Sequence, residues 1–338
     1  MSGNVKIAID AMGGDNAPFE IVKGAIAAVN ANSGISVCLT GKKEEIDKVL
    51  KDLTFDKERV EIVEANEIIE MGESPVLAIR QKKDSSLVKA MYLVKEGKCD
   101  ACVSAGSTGA ILVGGQTIIG RQKGIQRAPL APLIPTEKGK ALLIDCGANV
   151  DARPQQLMQF AKIGSVYMEE IMKIKNPGVA LVNIGAEEEK GNQLVKETFP
   201  LLKNSPDINF VGNIEARDIP AGHADVVVCD AFVGNVILKM YEGVAASLTK
   251  ILKDGMMSSL RGKIGGAIVK PVLKATLADY DTNKLGGAPM LGLNHLVIKA
   301  HGSSYAESFQ KACEQCAQFH ESDMTKKLQA KIGLTEDI

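Results

Sequence analysis

The sequence predicts an α/β protein whose mostly parallel sheet is sandwiched by helices. Short apolar runs rich in β-branched residues alternate with helix-period patterns, from Val5 to Ile9 at one end to Ser304 to Phe319 at the other. Glycine accounts for 33 of 338 residues, as many tight strand-to-helix turns require. A hydrophobic share of 45% suits a chain that buries a sizeable core.

The first half opens as a strand, a glycine loop and a helix. Ile7 and Ile9 favour a buried strand, Gly13-Gly14 permit a sharp turn, and Pro18 suits the first turn of a helix. The same alternation then repeats. Further strands are predicted at Ile35 to Leu39, Val60 to Val63 and Asp100 to Ser104, and helices at Pro18 to Ala31, Lys42 to Leu50 and Ser74 to Glu96, the last interrupted near Lys83 to Ser86.

The second half begins with a predicted hairpin around Glu137-Lys138-Gly139. The predicted strands are Leu130 to Pro135, Ala141 to Asp145, Val179 to Ile184, Ile208 to Val211, Asp225 to Cys229 and Leu296 to Lys299. The predicted helices are Pro154 to Met172, Gly191 to Leu202, Val236 to Leu252 and Ser304 to Phe319. We find no repeat or linker, so we expect a single α/β/α catalytic body over residues 1–338.

Composition excludes several classes of protein. The formal net charge of −1 gives no reason to expect nucleic acid as a partner. The seven cysteines are odd in number and several lie in apolar runs, which favours reduced, buried thiols over disulfides or zinc ligands. We find no secretory signal and no run of about 18 uncharged apolar residues, so the expected location is cytoplasmic.

Six predicted strand exits carry small residues, amides, hydroxyls and acids. In open parallel sheets, ligands bind outside the carboxyl ends of the strands. The sequence therefore predicts a polar cleft along that edge. The exits are Asp10 to Asp15 with Gly13 and Gly14, Ser104 to Gly109, Asp145 to Asp151, Asn183 to Asn192, Asp230 to Asn235, and His301 to Ser304.

Two of these loops suit an anion, because Ser107-Thr108 and Ser303-Ser304 each precede or open a predicted helix with free N–H groups. Simple N-capping explains the same hydroxyls without a ligand. Lys190 is a candidate phosphate-binding cation, although it also belongs to a run of charges. His301 follows a strand, where an imidazole with a pKa of about 6.5 can move a proton.

The acids at these exits have two interpretations. Asp10, Asp15, Asp145, Asp151 and Asp230 could bind Mg²⁺ together, or each could cap a turn or helix. Capping is favoured, so no metal site is predicted. The chain has no G-x-G-x-x-G after its first strand, no P-loop and no nucleophile elbow, which disfavours the usual nucleotide-binding loops and α/β-hydrolase chemistry.

Residues from about 245 to 285 are predicted to protrude as a basic amphipathic helical segment. Between Asp254 and Asp279 it has no acidic residue, and Pro271 with several glycines favours a pair of short helices over one long helix. Such a segment binds an anionic membrane surface or packs against another subunit, and the sequence leaves both open. The expected membrane contacts are Leu260, Lys263, Ile264, Ile268, Lys270 and Lys274.

Seven motifs, in order along almost the whole chain, resemble the bacterial phosphate acyltransferase family of phospholipid synthesis. They are Ile9 to Asp15, Ser104 to Ala110, Arg127 to Pro132, Asp145 to Asp151, Gly212 to Asp218, Phe232 to Asn235 and Lys299 to Ser304. Ser107 and Ala231 stand where the family usually carries Asn and Gly. Serine keeps a hydrogen-bonding side chain, and Ala231 adds one methyl group.

The resemblance implies that inorganic phosphate attacks the thioester of a long-chain acyl group on acyl carrier protein. It also implies a fold similar to that of isocitrate and isopropylmalate dehydrogenases, a homodimer, no cofactor, and peripheral attachment to the inner face of the membrane. The expected catalytic residues are Lys190 and His301. The expected substrate or phosphate contacts are Asp10, Gly13, Gly14, Asp15, Ser107, Thr108, Asn149, Asn183, Asp230, Asn235, Ser303 and Ser304.

Two rival hypotheses use the same sequence. The first is a decarboxylating dehydrogenase of the same fold, which requires a metal ion and NAD. The second is a non-enzymatic scaffold that uses only the basic helices at a membrane surface. The scaffold leaves the six polar strand exits unexplained.

Overall fold

Two sheets, instead of one continuous sheet, form the framework of the protein in a computed structural model that describes residues 4–276 and 286–332. Within these ranges, seven of the nine strand pairs are parallel and helices flank the sheets. The predicted α/β class with mostly parallel strands is therefore confirmed. The prediction of a single sheet is wrong.

The first sheet contains β1 (Val5–Asp10), β2 (Ile35–Gly41), β3 (Val60–Glu64), β4 (Ala101–Ser104), β10 (Ala288–Met290) and β11 (Leu296–Lys299). Its strand order is β10-β11-β4-β1-β2-β3, and the β10–β11 pair is antiparallel. Strands β11, β4 and β1 are therefore parallel neighbours. Their carboxyl ends lie side by side at one edge of the sheet.

The second sheet contains β5 (Leu133–Thr136), β6 (Gly139–Ile144), β7 (Gly178–Asn183), β8 (Asn209–Glu215) and β9 (Val226–Val228). Its order is β5-β6-β9-β7-β8. The antiparallel β5–β6 pair confirms the predicted hairpin around Glu137 and Lys138. Strands β6, β9 and β7 are parallel neighbours, which repeats the arrangement of the first sheet.

The two sheets meet where the chain before β5 runs beside β10. The Ala131 amide donates to the Pro289 carbonyl at 3.0 Å, and the Leu291 amide donates to the Pro129 carbonyl at 3.0 Å. This contact is an isolated bridge between antiparallel edges, so the ladder does not continue from one sheet into the other. The largest buried cluster nevertheless contains residues of both sheets, including Ile9.

The helices surround these sheets. They are α1 (Phe19–Ala31), α2 (Lys43–Leu50), α3 (Pro75–Gln81), α4 (Ser86–Lys95), α5 (Thr108–Gly114), α6 (Pro154–Glu170), α7 (Gln193–Lys203), α8 (Ala231–Met257), α9 (Leu260–Thr276), α10 (Ala306–Glu321) and α11 (Met324–Ile332). Helix α8 begins five residues before its predicted start, because Asp230 caps it by accepting a hydrogen bond from the Val233 amide.

Helices α8 and α9 form a hairpin. Helix α9 is one helix of 17 residues, so the predicted pair of short helices is wrong. It contains Pro271, and Gly262 allows close approach to α8, since a Cβ there would lie 2.4 Å from the Met256 carbonyl oxygen. Residues 277–285 of the predicted basic segment and the side chain of Lys274 lie outside the described part of the protein.

Candidate active site

The six polar strand exits divide equally between the two sheets. In the first sheet, the neighbouring strands β1, β4 and β11 lead into the loops of Asp10, Ser104 and His301. In the second sheet, the neighbouring strands β6, β9 and β7 end at Asp145, Asp230 and Asn183. The exits that were predicted to share one edge therefore lie at the carboxyl edges of two sheets.

The three loops of the first sheet pack directly on one another. Gly14 has a φ of +106°, and a Cβ there would lie 2.9 Å from the Ala105 Cβ and 3.0 Å from the Gly302 carbonyl oxygen. The Asp15 amide donates to that carbonyl at 2.8 Å. The glycine at position 14 is thus required for close approach between loops. Gly13, which precedes it, is buried.

A row of buried polar side chains lies at the ends of these strands. The Ser104 hydroxyl donates to Oδ2 of Asp10 at 2.6 Å, and Ser104 is in register with Lys299 on β11. Because side chains alternate along a strand, these three residues share the sheet face of Ala8 and Val297. The row therefore runs Asp10, Ser104, Lys299 across three neighbouring strands.

Asp10 is 2% exposed, and burial raises the pKa of its carboxyl group. Hydrogen bonding from Ser104 and Ser86, and then from backbone amides, opposes that rise. However, none of these groups forms a hydrogen bond of normal length and angle to Oδ1 of Asp10, and neither does any other described residue. A buried carboxylate with one unsatisfied oxygen is costly, and such groups concentrate at functional sites.

Lys299 begins one of the seven family motifs, but the sequence did not predict a role for it. It is 9% exposed, and its ammonium donates to the Ala300 carbonyl. Burial lowers the pKa of Lys299 to about 8; nearby Lys239 lowers it further, and Asp15 and Asp10 oppose the decrease. A lysine that ends an otherwise apolar strand was the signal that could have identified it.

His301 connects this edge to the second sheet. Its Nδ1 lies 2.8 Å from the Ser303 hydroxyl oxygen. Partial burial lowers the pKa of His301, while Glu242 raises it and Lys239 lowers it. Both of these charged residues are on α8, which follows β9 of the second sheet. The early turns of α8 therefore lie close enough to the first-sheet loops to act electrostatically on them.

At the second edge, Asp145 is 0% exposed and fully engaged in hydrogen bonds. Its Oδ1 accepts from the Leu130 amide at 2.9 Å and the Ala148 amide at 3.2 Å. Its Oδ2 accepts from the Asn149 amide at 2.8 Å and Nδ2 at 2.6 Å. Burial raises the pKa of Asp145 and these donors oppose the rise. Asp145 and Asn149 therefore hold their loop together.

The start of α8 packs against the same loop. The Ala231 amide donates to the Asn149 carbonyl at 3.0 Å. A Cβ at Gly234 would lie 1.9 Å from the Asp145 carbonyl oxygen, so only glycine permits this contact. Asn235, which directly follows Gly234, is exposed. Together with Lys239 and apolar side chains of α8, it lines an open groove of about 630 Å³.

Lys190 lies in the loop after β7 of the second sheet. Its ammonium forms an ion pair with Glu187 at 2.8 Å, which raises the pKa of Lys190. Asn183 holds the same loop, because its Nδ2 donates to the Lys190 carbonyl at 3.1 Å and its Oδ1 accepts from the Ile184 amide. Among the described residues, no hydrogen bond or ion pair joins Lys190 to His301.

The serine and threonine residues that were predicted to bind an anion lie just before helices or at their first residue. Ser107 caps α5 by accepting from the Ala110 amide at 3.5 Å, and Thr108 follows it. Ser303 and Ser304 lie in the loop before α10, which begins two residues later than predicted, and their carbonyls accept hydrogen bonds from Asn16. These bonds from Asn16, in the loop after β1, hold Ser303 and Ser304 in place.

The acidic and cysteine side chains form no metal site among the described residues. In the described ranges, no three His, Cys, Asp or Glu side chains lie together in a way that could hold a metal ion, so the alternative of a shared Mg²⁺ site among the aspartates has no geometric support. All seven cysteines are free and buried, as predicted. No described helix is long and apolar enough to cross a bilayer.

Comparisons with known proteins agree with this architecture. Residues 5–327 match the family model described as "Fatty acid synthesis protein". A phosphate acyltransferase from Clostridium acetobutylicum is 50% identical over 326 residues, covering 96% of this chain and 98% of that protein. A Streptococcus pyogenes phosphotransacetylase structure has a TM-score of 0.59 at 19% identity, covering 96% of this chain and 94% of the other.

A structure from Salmonella typhimurium described as a 4-hydroxythreonine-4-phosphate dehydrogenase has a TM-score of 0.50 at 12% identity, covering 94% of this chain and 99% of the other. Both structural likenesses concern the fold alone. The sequence matches span nearly the full length of the chain and confirm the resemblance drawn from its motifs. The chain therefore belongs to the fatty acid synthesis protein family, and it is an acyltransferase of the phosphate acyltransferase type.

Proposed function

We propose that this enzyme transfers a long-chain acyl group from acyl carrier protein to inorganic phosphate in phospholipid synthesis. The products are acyl phosphate and free acyl carrier protein. The observation that carries the proposal is the meeting of three loops around Gly14, Ala105 and Gly302, next to His301 and to the buried Lys299 that ends β11. Loops of this kind offer backbone N–H groups and a cation to an anion at close range.

The proposed reaction needs no additional reactant. An oxygen of hydrogen phosphate forms a bond to the thioester carbonyl carbon, and the carbon–sulfur bond breaks. The proton of hydrogen phosphate ends on the carrier thiol. His301 suits this transfer, because its lowered pKa keeps the imidazole neutral at pH 7 and able to accept a proton. No cofactor is required, since the thioester supplies the activation.

The proposed roles at the site extend to the second sheet. Lys190 is proposed to bind phosphate or stabilise the oxyanion after its loop moves, since it pairs with Glu187 in this structure. The proposed substrate or phosphate contacts are Asp10, Gly13, Gly14, Asp15, Ser107, Thr108, Asn149, Asn183, Asp230, Asn235, Ser303 and Ser304. The close contacts among the loops after β1, β4 and β11 support the contacts proposed for residues of those three loops.

One assay tests the reaction. The protein is mixed with phosphate and either long-chain acyl carrier protein or the matching coenzyme A thioester, and acyl phosphate and released thiol are measured. We expect product from the carrier protein, and turnover reduced by ~10²-fold or more in Lys190→Ala and His301→Ala. No product from the wild-type protein would refute the proposal. NAD reduction with a hydroxy acid would support the rival dehydrogenase instead.

The α8–α9 hairpin supports a second proposal, peripheral attachment to the inner face of the membrane. Its large apolar side chains are exposed, Ile268 by 71%, and Lys263 and Lys270 are exposed beside them. Apolar side chains flanked by lysines suit an anionic bilayer surface. The alternative is that the same surface packs against a second copy of the chain, which would form the homodimer that the family resemblance implies.

Liposome binding and sedimentation separate these outcomes. Ile264→Asp and Ile268→Asp should abolish binding to anionic vesicles while Val76→Asp, an exposed apolar site on α3, should not. Unchanged vesicle binding in both hairpin variants would contradict membrane contact. Loss of a dimer in the same variants would assign the hairpin to the subunit interface.

We also propose that the fold is similar to that of isocitrate and isopropylmalate dehydrogenases, as the family resemblance implies. Two mostly parallel sheets joined at antiparallel edges support this proposal. A direct superposition of this structure on those enzymes tests it. A match restricted to one sheet would contradict it.

A further inference from the structure

Lys299 is the buried cation of the site. Its side chain lies at the carboxyl end of β11, in register with Ser104, which itself bonds to Asp10. The ammonium donates to the adjacent Ala300 carbonyl and forms no ion pair with a described carboxylate. A buried ammonium held only by a neutral acceptor is incompletely compensated.

Four charged or titratable groups face Lys299 from the surrounding elements. Asp10 lies across Ser104 on β1, and Asp15 lies in the loop after β1. Lys239 approaches from α8, and His301 follows in the same loop. Lys239 is itself paired with Glu242 at 2.8 Å. The lysine therefore lies where the first-sheet loops and α8 converge.

We propose that Lys299 is a phosphate-binding residue of this enzyme and that its ammonium positions the anion between the first-sheet loops and α8. The proposal rests on the proposed function and names a cation that differs from Lys190. An entering phosphate dianion supplies the negative charge that Lys299 lacks, and the three loops around it supply backbone N–H groups.

Proton uptake is the distinctive consequence. Free Lys299, with its pKa lowered to about 8, is partly neutral near pH 8. A bound dianion favours the charged ammonium and raises that pKa, so phosphate binding takes up protons at pH 8 and weakens as the pH rises further. Lys190 cannot produce this effect there, because its pKa is raised and it stays charged.

Titration calorimetry of the full-length protein with inorganic phosphate tests this proposal. Measurements at pH 8 in two buffers of different ionisation enthalpy report proton uptake. We expect uptake in the wild type and roughly ten- to hundredfold weaker binding in Lys299→Met. Lys299→Arg should bind phosphate without proton uptake, because a guanidinium stays charged. Lys98→Met, an exposed lysine at the amino end of β4, is the matched control and should behave as wild type.

Three results would overturn the proposal: undiminished phosphate binding in a folded Lys299→Met variant, wild-type proton uptake in Lys299→Arg, or no phosphate binding by the wild type. If Lys299→Met does not fold, Lys299→Arg decides. Acyl phosphate formation by the wild type is measured separately. Its presence alongside any of these results would refute only the role of Lys299, and its absence would refute the proposed function.

Discussion

Two buried aspartates at the ends of equivalent strands differ in how fully the protein satisfies them. Asp10 ends β1 of the first sheet, and Asp145 follows β6 of the second. Both are almost completely inaccessible, and burial raises the pKa of each. Asp145 accepts four hydrogen bonds. Asp10 accepts one of normal geometry, from Ser104, and the looser approaches of Ser86 and the Met12 and Gly13 amides leave its Oδ1 without a hydrogen bond to any described residue.

The difference distinguishes the structural role of Asp145 from the chemical role that we propose for the first edge. At the second edge, the donors to Asp145 are backbone and amide groups of its own loop and the preceding segment, so the carboxylate closes the loop. At the first edge, Asp10 and Lys299 are buried without full compensation. Such groups lower stability, and proteins retain them where function uses the charge.

The largest effect should come from packing against the Asp145 loop. Gly234→Ala places a Cβ 1.9 Å from the Asp145 carbonyl oxygen, so we expect a loss of more than about 3 kcal/mol in the free energy of unfolding by urea titration. Gly243→Ala on the same helix is the control, because its Cβ would have no neighbour within 4 Å among the described atoms. That variant should gain up to about 1 kcal/mol. Equal losses in both would show that α8 does not dock as described.

Removing the charge of Asp145 should have the next largest effect. Asp145→Asn turns one acceptor into an NH₂ group that faces backbone donors, so we expect a loss of about 2–3 kcal/mol in the free energy of unfolding. Chemical denaturation at pH 7 measures it. If Asp145→Asn has the same free energy of unfolding as the wild type, Asp145 does not stabilise its loop as described.

At the first edge, removing the buried cation should stabilise the protein. Lys299→Met replaces an ammonium, whose folded pKa of about 8 lies below its ordinary 10.5, with an apolar side chain of similar size. The depressed pKa means that the charged form is penalised below pH 8 and that the penalty disappears as the pH rises toward 10.5. We expect a gain of about 1–3 kcal/mol at pH 7 that shrinks above pH 8.

Thermal unfolding at pH 7, 8 and 9.5 checks this prediction. The difference in melting temperature between wild type and Lys299→Met should be clearly smaller at pH 9.5 than at pH 7. A variant that melts below the wild type at every pH would mean that Lys299 stabilises the fold, and the contrast between the two edges would fail.

The smallest stability effect is expected at Asp10. Asp10→Asn removes a carboxylate that is already incompletely satisfied, so the free energy of unfolding should change by no more than about 1 kcal/mol. Turnover in the acyl phosphate assay should still fall, because the neighbouring charges of the site change. Comparison with Asp145→Asn in the same denaturant series provides the control. A loss as large as that of Asp145→Asn would make the two aspartates equivalent.

Much of the fold followed from local patterns. The alternation of strands and helices, the hairpin around Lys138, and the polar exits could all be predicted, because each depends on neighbours within a few residues. The two sheets could not, since the break between them depends on contacts between Leu130 and Met290, far apart in the chain. The single helix α9 was missed because local Pro and Gly preferences disfavoured it.

The sequence by itself determined the fold class, the polar character of six strand exits, the likeness to phosphate acyltransferases, and His301 as a candidate beside a glycine loop. Only the tertiary structure decided which exits are neighbours: it grouped Asp10, Ser104 and Lys299 in one row and left Lys190 paired with Glu187 in another loop. The physical reason is that strand order and burial set the desolvation and the charged neighbours of each group. Neither is encoded within a short stretch of sequence.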